Sequence, residues 1–197
     1  MKRLGTLLLC IGVAVGCFID LFAESKALMD QVCTACHAIE RPLSKKKSQV
    51  DWENTVARML TKSDYVNAEQ QSEIVAFLSK VRNIDTVVHT AKDEFNLNEQ
   101  EKLHLPLVNA PVSVTSGSKA IVSVQIGEEL HQMLENHHIV AVDLYVNNRF
   151  AELIELGPNK EPRVEFETII RKNSQLEVVS HCSLNGSWSI TTEILAE

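Results

Sequence analysis

Cys33-Thr34-Ala35-Cys36-His37 is the stretch on which the reading of this chain turns. Two thiols three residues apart, followed at once by an imidazole, form the C-x-x-C-H pattern of covalent haem attachment. The thiols add across the two vinyl groups, and the adjacent His then falls under the iron as proximal ligand. A thioredoxin-like pair is the rival reading of C-x-x-C, but it requires no His and expects a βαβ setting. A structural zinc site needs a second ligand pair nearby, and the chain has no second C-x-x-C. The pattern therefore predicts one covalent c-type haem held by Cys33, Cys36 and His37, and with it export to an oxidising compartment.

The residues before the motif agree with export. Lys2 and Arg3 form a basic start, Leu4 to Ile19 is an apolar run too short for a comfortable membrane span, and Ala23 ends the expected cleavage site. Residues 1–23 are read as a signal peptide, which places the mature protein in the periplasm. Cys17, preceded by Ala14-Val15-Gly16, loosely resembles a lipoprotein cleavage box and offers a lipidated, membrane-anchored alternative. A net charge of -7 gives no reason to expect nucleic acid or an anionic membrane surface as partner.

After the leader the pattern is helical. Glu24 to Cys36 carries Leu28, Met29 and Val32 at helical spacing and delivers both thiols. Ala38 to Ser48 is a polar loop whose Lys45-Lys46-Lys47 reads as a solvated turn or as a docking patch for an acidic electron-transfer partner. Asp51 to Lys62 is a second helix, and Asn67 caps a third from Ala68 to about Arg82, with Ile74, Phe77, Leu78 and Val81 on one face. Residues 24–90 thus read as a small all-α monohaem domain. The run Trp52-x-x-x-Val56-x-x-Met59, with the helix ending in Phe77-Leu78, resembles small periplasmic cytochromes c. In those a Met after the second helix is the distal ligand, which implies Met59 here. Met29 and His89 are rivals, and core filling is the plainer role for any Met at helical spacing. Ile84 to Asn98 is polar and acidic, and residues 91–98 are read as a linker.

From about residue 99 the pattern becomes alternation. Val122, Val124 and Ile126 face one way and Ser123 and Gln125 the other. Ile139 to Val146, Phe150 to Leu156, Val164 to Ile170, Leu176 to Val178 and Trp188 to Leu195 follow, separated by Asn147-Asn148, Gly157-Pro158-Asn159 and similar turn signals. The fold class expected is α + β in separate domains, an all-α domain followed by an all-β immunoglobulin-like sandwich over 99–197.

Cysteine arithmetic singles out one residue. Cys10 and Cys17 fall in the leader and Cys33 and Cys36 go to the haem, so Cys182 is left alone. A lone thiol in an exported protein is a liability unless something holds it, and that points to a metal. Around it stand Glu101-Lys102-Leu103-His104-Leu105-Pro106, His131-Gln132-Met133, His137-His138-Ile139 and Cys182-Ser183-Leu184-Asn185-Gly186-Ser187-Trp188.

Taken in order, these segments resemble the iron domain of superoxide reductases, the family of desulfoferrodoxin and neelaredoxin. The family pattern is E-K-H-x-P, then H-P-M-x-x-x-H-Y-I, then C-N-x-H-G-x-W. His104, His131, His137, Met133, Ile139, Cys182, Gly186 and Trp188 match it. Gln132 replaces a Pro, Leu103 is inserted before His104, and Asn185 stands where the last His belongs. The resemblance implies a non-haem iron held by His104, His131, His137 and Cys182. Asn185 would bind weakly, leave an open position, or not bind, with His138 and His181 as possible substitutes. His181 alternates with Cys182 and should point away. Glu101 and Lys102 carry over as catalytic residues, Lys102 attracting the anion and assisting protonation.

The expectation is an oxidoreductase that reduces superoxide to hydrogen peroxide, with the haem supplying electrons received from a periplasmic or membrane donor. Three rivals stand beside it. One is an electron-transfer protein with copper or iron in the second centre. Another is a sulfur-compound-oxidation binding module without a metal. The last is a domain that has lost its metal and only docks the cytochrome.

Overall fold

The computed structural model describes residues 23–61, 66–93 and 95–197. The leader reading, Cys10 and Cys17 included, falls on residues outside this set. Among the described residues no helix is long and apolar enough to cross a membrane.

Among the described residues five helices and nine strands follow one another. α1 (Ala23–Cys33), α2 (Glu40–Leu43), α3 (Gln49–Leu60) and α4 (Ala68–Val81) come first. α3 starts two residues earlier than the sequence suggested because Ser48 caps it, accepting from the Asp51 backbone N–H. Asn67 and Gln70 form a reciprocal capping box at α4. Then come β1 (Val88–His89), α5 (Glu99–His104), β2 (Pro106–Asn109), β3 (Ser113–Val114), β4 (Ser118–Ile126), β5 (Ile139–Val146), β6 (Arg149–Glu155), β7 (Arg163–Ile170), β8 (Ser174–Cys182) and β9 (Gly186–Ala196).

The strands form two sheets. One has the order β1-β9-β8-β5-β6, with β3 also on β9, and the other the order β2-β4-β7. Their inner faces meet in one core that includes Val122, Ile126, Ile139, Phe166, Val178 and Cys182. Asn147 and Asn148 both take positive φ, which shapes the β5–β6 turn that their sequence signalled.

The helices do not close a core of their own. Met29, Trp52, Phe77 and Leu78 pack with Val140, Ala141 and Leu153, which belong to β5 and β6. β5 is therefore covered on both faces, and Ile139 to Leu144 are all buried. Strands buried on both sides read as unbroken apolar runs, and Ile-Val-Ala-Val-Asp-Leu is such a run with one charge in it. That charge is Asp143, fully buried and paired with Arg82 at distances of 2.6 and 2.9 Å.

Residues just before and within the expected linker are tied into the sheet domain. Val88 and His89 pair in parallel with Ser187 and Trp188 of β9. Lys92 and Asn98 each donate a backbone N–H to the carboxylate of Glu101. The reason is local, since Asn98 and Glu101 form a capping box that folds the preceding turn back onto α5.

Candidate metal centre

Four side chains meet at one end of the sandwich. One ligand atom each from His104, His131, His137 and Cys182 all lie within 4.8 Å of one another. Their positions come from three parts of the chain, the end of α5, the β4–β5 connection and the end of β8. His104 is the last residue of α5, and Cys182 is the last of β8. His131 follows β4, where its N–H donates to the Ile126 carbonyl at 3.0 Å. His137 sits on a tight turn closed by paired backbone bonds with Leu134.

Two of the three rings are oriented by what their other nitrogen does. His104 Nδ1 donates to the Gln100 carbonyl at 2.8 Å, one turn back on α5. His131 Nδ1 donates to the carbonyl of Gln132. A carbonyl only accepts, so in both neutral rings the proton sits on Nδ1 and the lone pair on Nε2. Nε2 of His104 and of His137 is buried without a hydrogen-bond partner. Buried imidazole nitrogens left unpaired are costly in a purely structural setting, and a cation accounts for them.

Electrostatics favour the neutral, ligating form. Burial, reinforced by the neighbouring His104, pushes His131 down to about 4. Burial likewise pushes His104 below the usual imidazole range. Rings that carry no extra proton at neutral pH have none to lose when a metal binds.

Cys182 is buried and unpaired. Its Sγ stands 3.6 Å from His131 Nε2 and accepts the Asn185 backbone N–H at 3.4 Å. Asn185 Oδ1 is also 3.6 Å from that sulfur, while Nδ2 donates to Gln100 Oε1 at 3.4 Å. The amide thus sits at the rim of the cluster, tied both to the thiol and to α5. The Trp188 indole N–H closes the loop onto the Asn185 carbonyl at 3.0 Å. Its ring stacks on His104, centroids 5.2 Å apart and 19° from parallel.

The remaining candidates lie elsewhere. His181 points to the other face of β8, where Nε2 donates to Asp143 at 2.9 Å and Nδ1 meets the Ser187 hydroxyl at 2.8 Å. His138 donates from Nδ1 to the Leu134 carbonyl and stands outside the four-residue group. Glu101, expected to act beside Lys102, is 3% exposed with its carboxylate engaged by Lys92 and Asn98; its contacts are those of a helix cap. Lys102 lies two residues before His104 on a helix, about 200° around it. Its ammonium faces Glu99 Oε1 at 3.5 Å, with the side chain 42% exposed.

At the haem motif, Cys33 and Cys36 are free thiols, half-buried and exposed respectively. Burial first, then the Asp30 carboxylate, pushes the Cys33 thiol up. His37 Nδ1 donates to the Ala38 carbonyl at 3.1 Å, which puts the ring's lone pair on Nε2. Met59 is 41% exposed on α3, outside the core that Trp52 and Val56 join. Its rivals are placed otherwise: Met29 is fully buried in that core, and the His89 ring lies against Trp188, centroids 4.6 Å apart and tilted by 31°, beside the four-residue cluster.

Sequence reasoning missed two features. His89 was weighed only as a haem ligand, and nothing local marks it as a neighbour of Trp188. Asp143 passed unremarked inside an apolar strand, although a lone carboxylate in such a run is itself a signal of a buried partner.

The comparisons agree with this geometry. The family model "Desulfoferrodoxin" matches residues 96–191. A curated relative from Thermotoga maritima, named "Putative superoxide reductase", is 24% identical over 119 residues, which cover 50% of this chain and 90% of the relative. The solved superoxide reductase (neelaredoxin) from Ignicoccus hospitalis is 25% identical with a TM-score of 0.50, over 56% of this chain and 95% of that one. Residues 96–191 of this chain form a desulfoferrodoxin domain.

Proposed function

We propose that the protein is a two-centre redox protein whose β domain reduces superoxide at an iron held by His104, His131, His137 and Cys182. The observation that carries this reading is the convergence of three imidazoles and a lone buried thiol from α5, the β4–β5 connection and β8. Three nitrogens and one sulfur suit iron, copper or zinc, and the likeness to superoxide reductases favours iron. Iron bound there supplies the electron that, with two protons, takes superoxide to hydrogen peroxide.

The chain's own residues prepare that site. Gln100 and Gln132 fix two rings through their carbonyls, and Trp188 shields one face of His104. The Asn185 N–H bonded to the sulfur moderates the charge it can donate. Lys102 adds positive potential near the approach of an anion without binding the metal. A c-type haem on Cys33, Cys36 and His37, with Met59 as distal ligand, would supply a one-electron store fed by an external donor. The leader implies a periplasmic location, anchored if Cys17 is lipidated. The rival binding-module reading gives no reason for His104, His131, His137 and Cys182 to converge.

The test is metal analysis of the purified protein together with superoxide consumption. Iron beyond one atom per haem, and peroxide formed without oxygen evolution, is the expected result. Zinc in place of that iron, or superoxide decay no faster than its own dismutation, would overturn the proposal.

A further inference from the structure

Cys182 is anchored on both sides by one helix end. Its predecessor His181 is pinned by Asp143, and Asp143 receives two N–H bonds from Arg82, the residue that caps α4. Its successor Ser183 offers its carbonyl to the Lys80 ammonium, from the last turn of the same helix. The α4 end is itself fixed, since Arg82 also donates to the Leu43 and Val81 carbonyls and accepts from the Trp52 indole at 3.0 Å.

From this arrangement we infer that the C-terminal turn of α4 is a positioning clamp on the thiol of the metal centre, with Lys80, Arg82, Asp143 and His181 as its positioning residues. The inference rests on the reading of His104, His131, His137 and Cys182 as metal ligands.

The physical argument starts from the pleat. Neighbouring residues on a strand face opposite sides, so Cys182 points between the sheets while His181 points at the helices. Holding the His181 ring therefore fixes the roll of the strand at its last residue. Ser183 fixes the exit direction, since it also exchanges bonds with His138, N–H to carbonyl at 2.8 Å one way and N–H to hydroxyl at 3.1 Å the other. With both flanks held, Sγ has little freedom before any metal arrives. A strand end without such anchors frays at small cost.

Stability alone does not require this network. A buried ion pair is often no more stabilising than well-packed apolar residues of the same volume. What a bidentate guanidinium–carboxylate pair adds is direction, because both partners are planar and meet in one orientation. Here that direction is handed through His181 to the residue that carries the sulfur. The helical unit is then a working part of the metal centre and not only cargo beside it.

Cobalt(II) titration of the full chain tests this, reading the dissociation constant and the energy of the thiolate-to-cobalt charge-transfer band. Asp143→Asn should weaken binding by about ten- to a hundredfold, the range for partners that orient ligands, and shift the band. Lys80→Met, on an exposed turn, should shift the band the same way with a smaller loss. Arg82→Lys should recover part of what Arg82→Met loses. Urea unfolding of each variant separates lost stability from lost positioning, because destabilisation alone leaves the band energy of the folded protein unchanged. If wild type shows no thiolate band, the metal reading itself falls and the clamp with it. If wild type shows the band and folded Lys80→Met and Arg82→Met match it in affinity and energy, the clamp is wrong and the metal reading stands. Should Asp143→Asn fail to fold, those two variants decide.

Discussion

Cys182 Sγ stands 3.6 Å from His131 Nε2 although 51 positions separate them in the chain. That separation is what two ligands of one ion show when each bond is about 2.0–2.3 Å and they meet at a wide angle. The site is thus shaped for a cation before one is bound, and its weak point is identifiable. Asn185 stands where the resembled family has a fourth imidazole, and its amide oxygen already reaches 3.6 Å from the sulfur.

Asn185→His should therefore tighten metal binding. We expect a gain of at least about tenfold, the scale on which single partners of a metal site act. Competition with a chelator of known affinity measures it. Unchanged or weaker binding would mean that position 185 is not a ligand position in this chain.

Gly127→Ala should damage the site from behind. At φ +85 an added Cβ would lie 2.3 Å from the Glu129 carbonyl oxygen and 2.8 Å from that of Leu103, both backbone atoms that cannot swing aside. Gly127 and Glu128 also donate to the Leu105 and Lys102 carbonyls, so the strain falls on the end of α5 that carries His104. A loss of about 1–3 kcal/mol in urea unfolding is expected from the conformation alone, with lower metal content. A variant as stable and as fully loaded as wild type would refute the account.

Lys102→Ala tests long-range attraction as opposed to contact. The ammonium is exposed and paired only loosely with Glu99, on the far side of α5 from His104. The second-order rate with superoxide should fall by no more than about tenfold at low ionic strength, the lower end of electrostatic steering. The effect should fade as salt is added while metal content holds. A larger loss that salt does not relieve would place Lys102 in direct contact with the anion.

Glu155 gives a pH prediction in stability. Burial pushes its carboxyl up to about 7, outweighing the hydrogen bond it accepts from the Lys26 backbone N–H. A carboxyl raised above its unfolded value of 4.5 contributes fully below that pH, and the contribution is lost as pH rises through about 7. Glu155→Gln should remove this slope, so the variant gains on wild type between pH 5 and pH 8 in urea unfolding. Partial solvation will keep the gain below that of a fully buried group. Parallel pH profiles for the two proteins would show that Glu155 ionises normally.

The haem reading has its own test. Haem should resist extraction into acidic organic solvent in wild type and be lost from the Cys33→Ser, Cys36→Ser double variant. Met59→Ala should abolish a sulfur-to-iron charge-transfer band in the oxidised protein and lower the potential, since a thioether ligand raises it. A wild type without that band would show that Met59, already 41% exposed, is not the distal ligand.

What the sequence determined by itself was the local structure and the residue types of the metal cluster. Helix starts were readable from caps such as Asn67, strands from their period of two, and the metal cluster from residue types in a family order. Those signals are local, or preserved as short motifs, so no coordinates were needed to find them. The tertiary structure decided how the parts depend on one another. Helices that read as a self-contained domain share their core with β5 and β6, because an amphipathic face does not announce what it will bury against. Val88 and His89, at the end of the stretch read as the all-α domain, pair with β9, since a parallel strand of two residues leaves almost no period to detect. That Glu101 serves as a cap showed only once its two donors, Lys92 and Asn98, were in place. Above all, Arg82 and Asp143 lie 61 positions apart, and only the packing of α4 across the sheet brings them together behind Cys182.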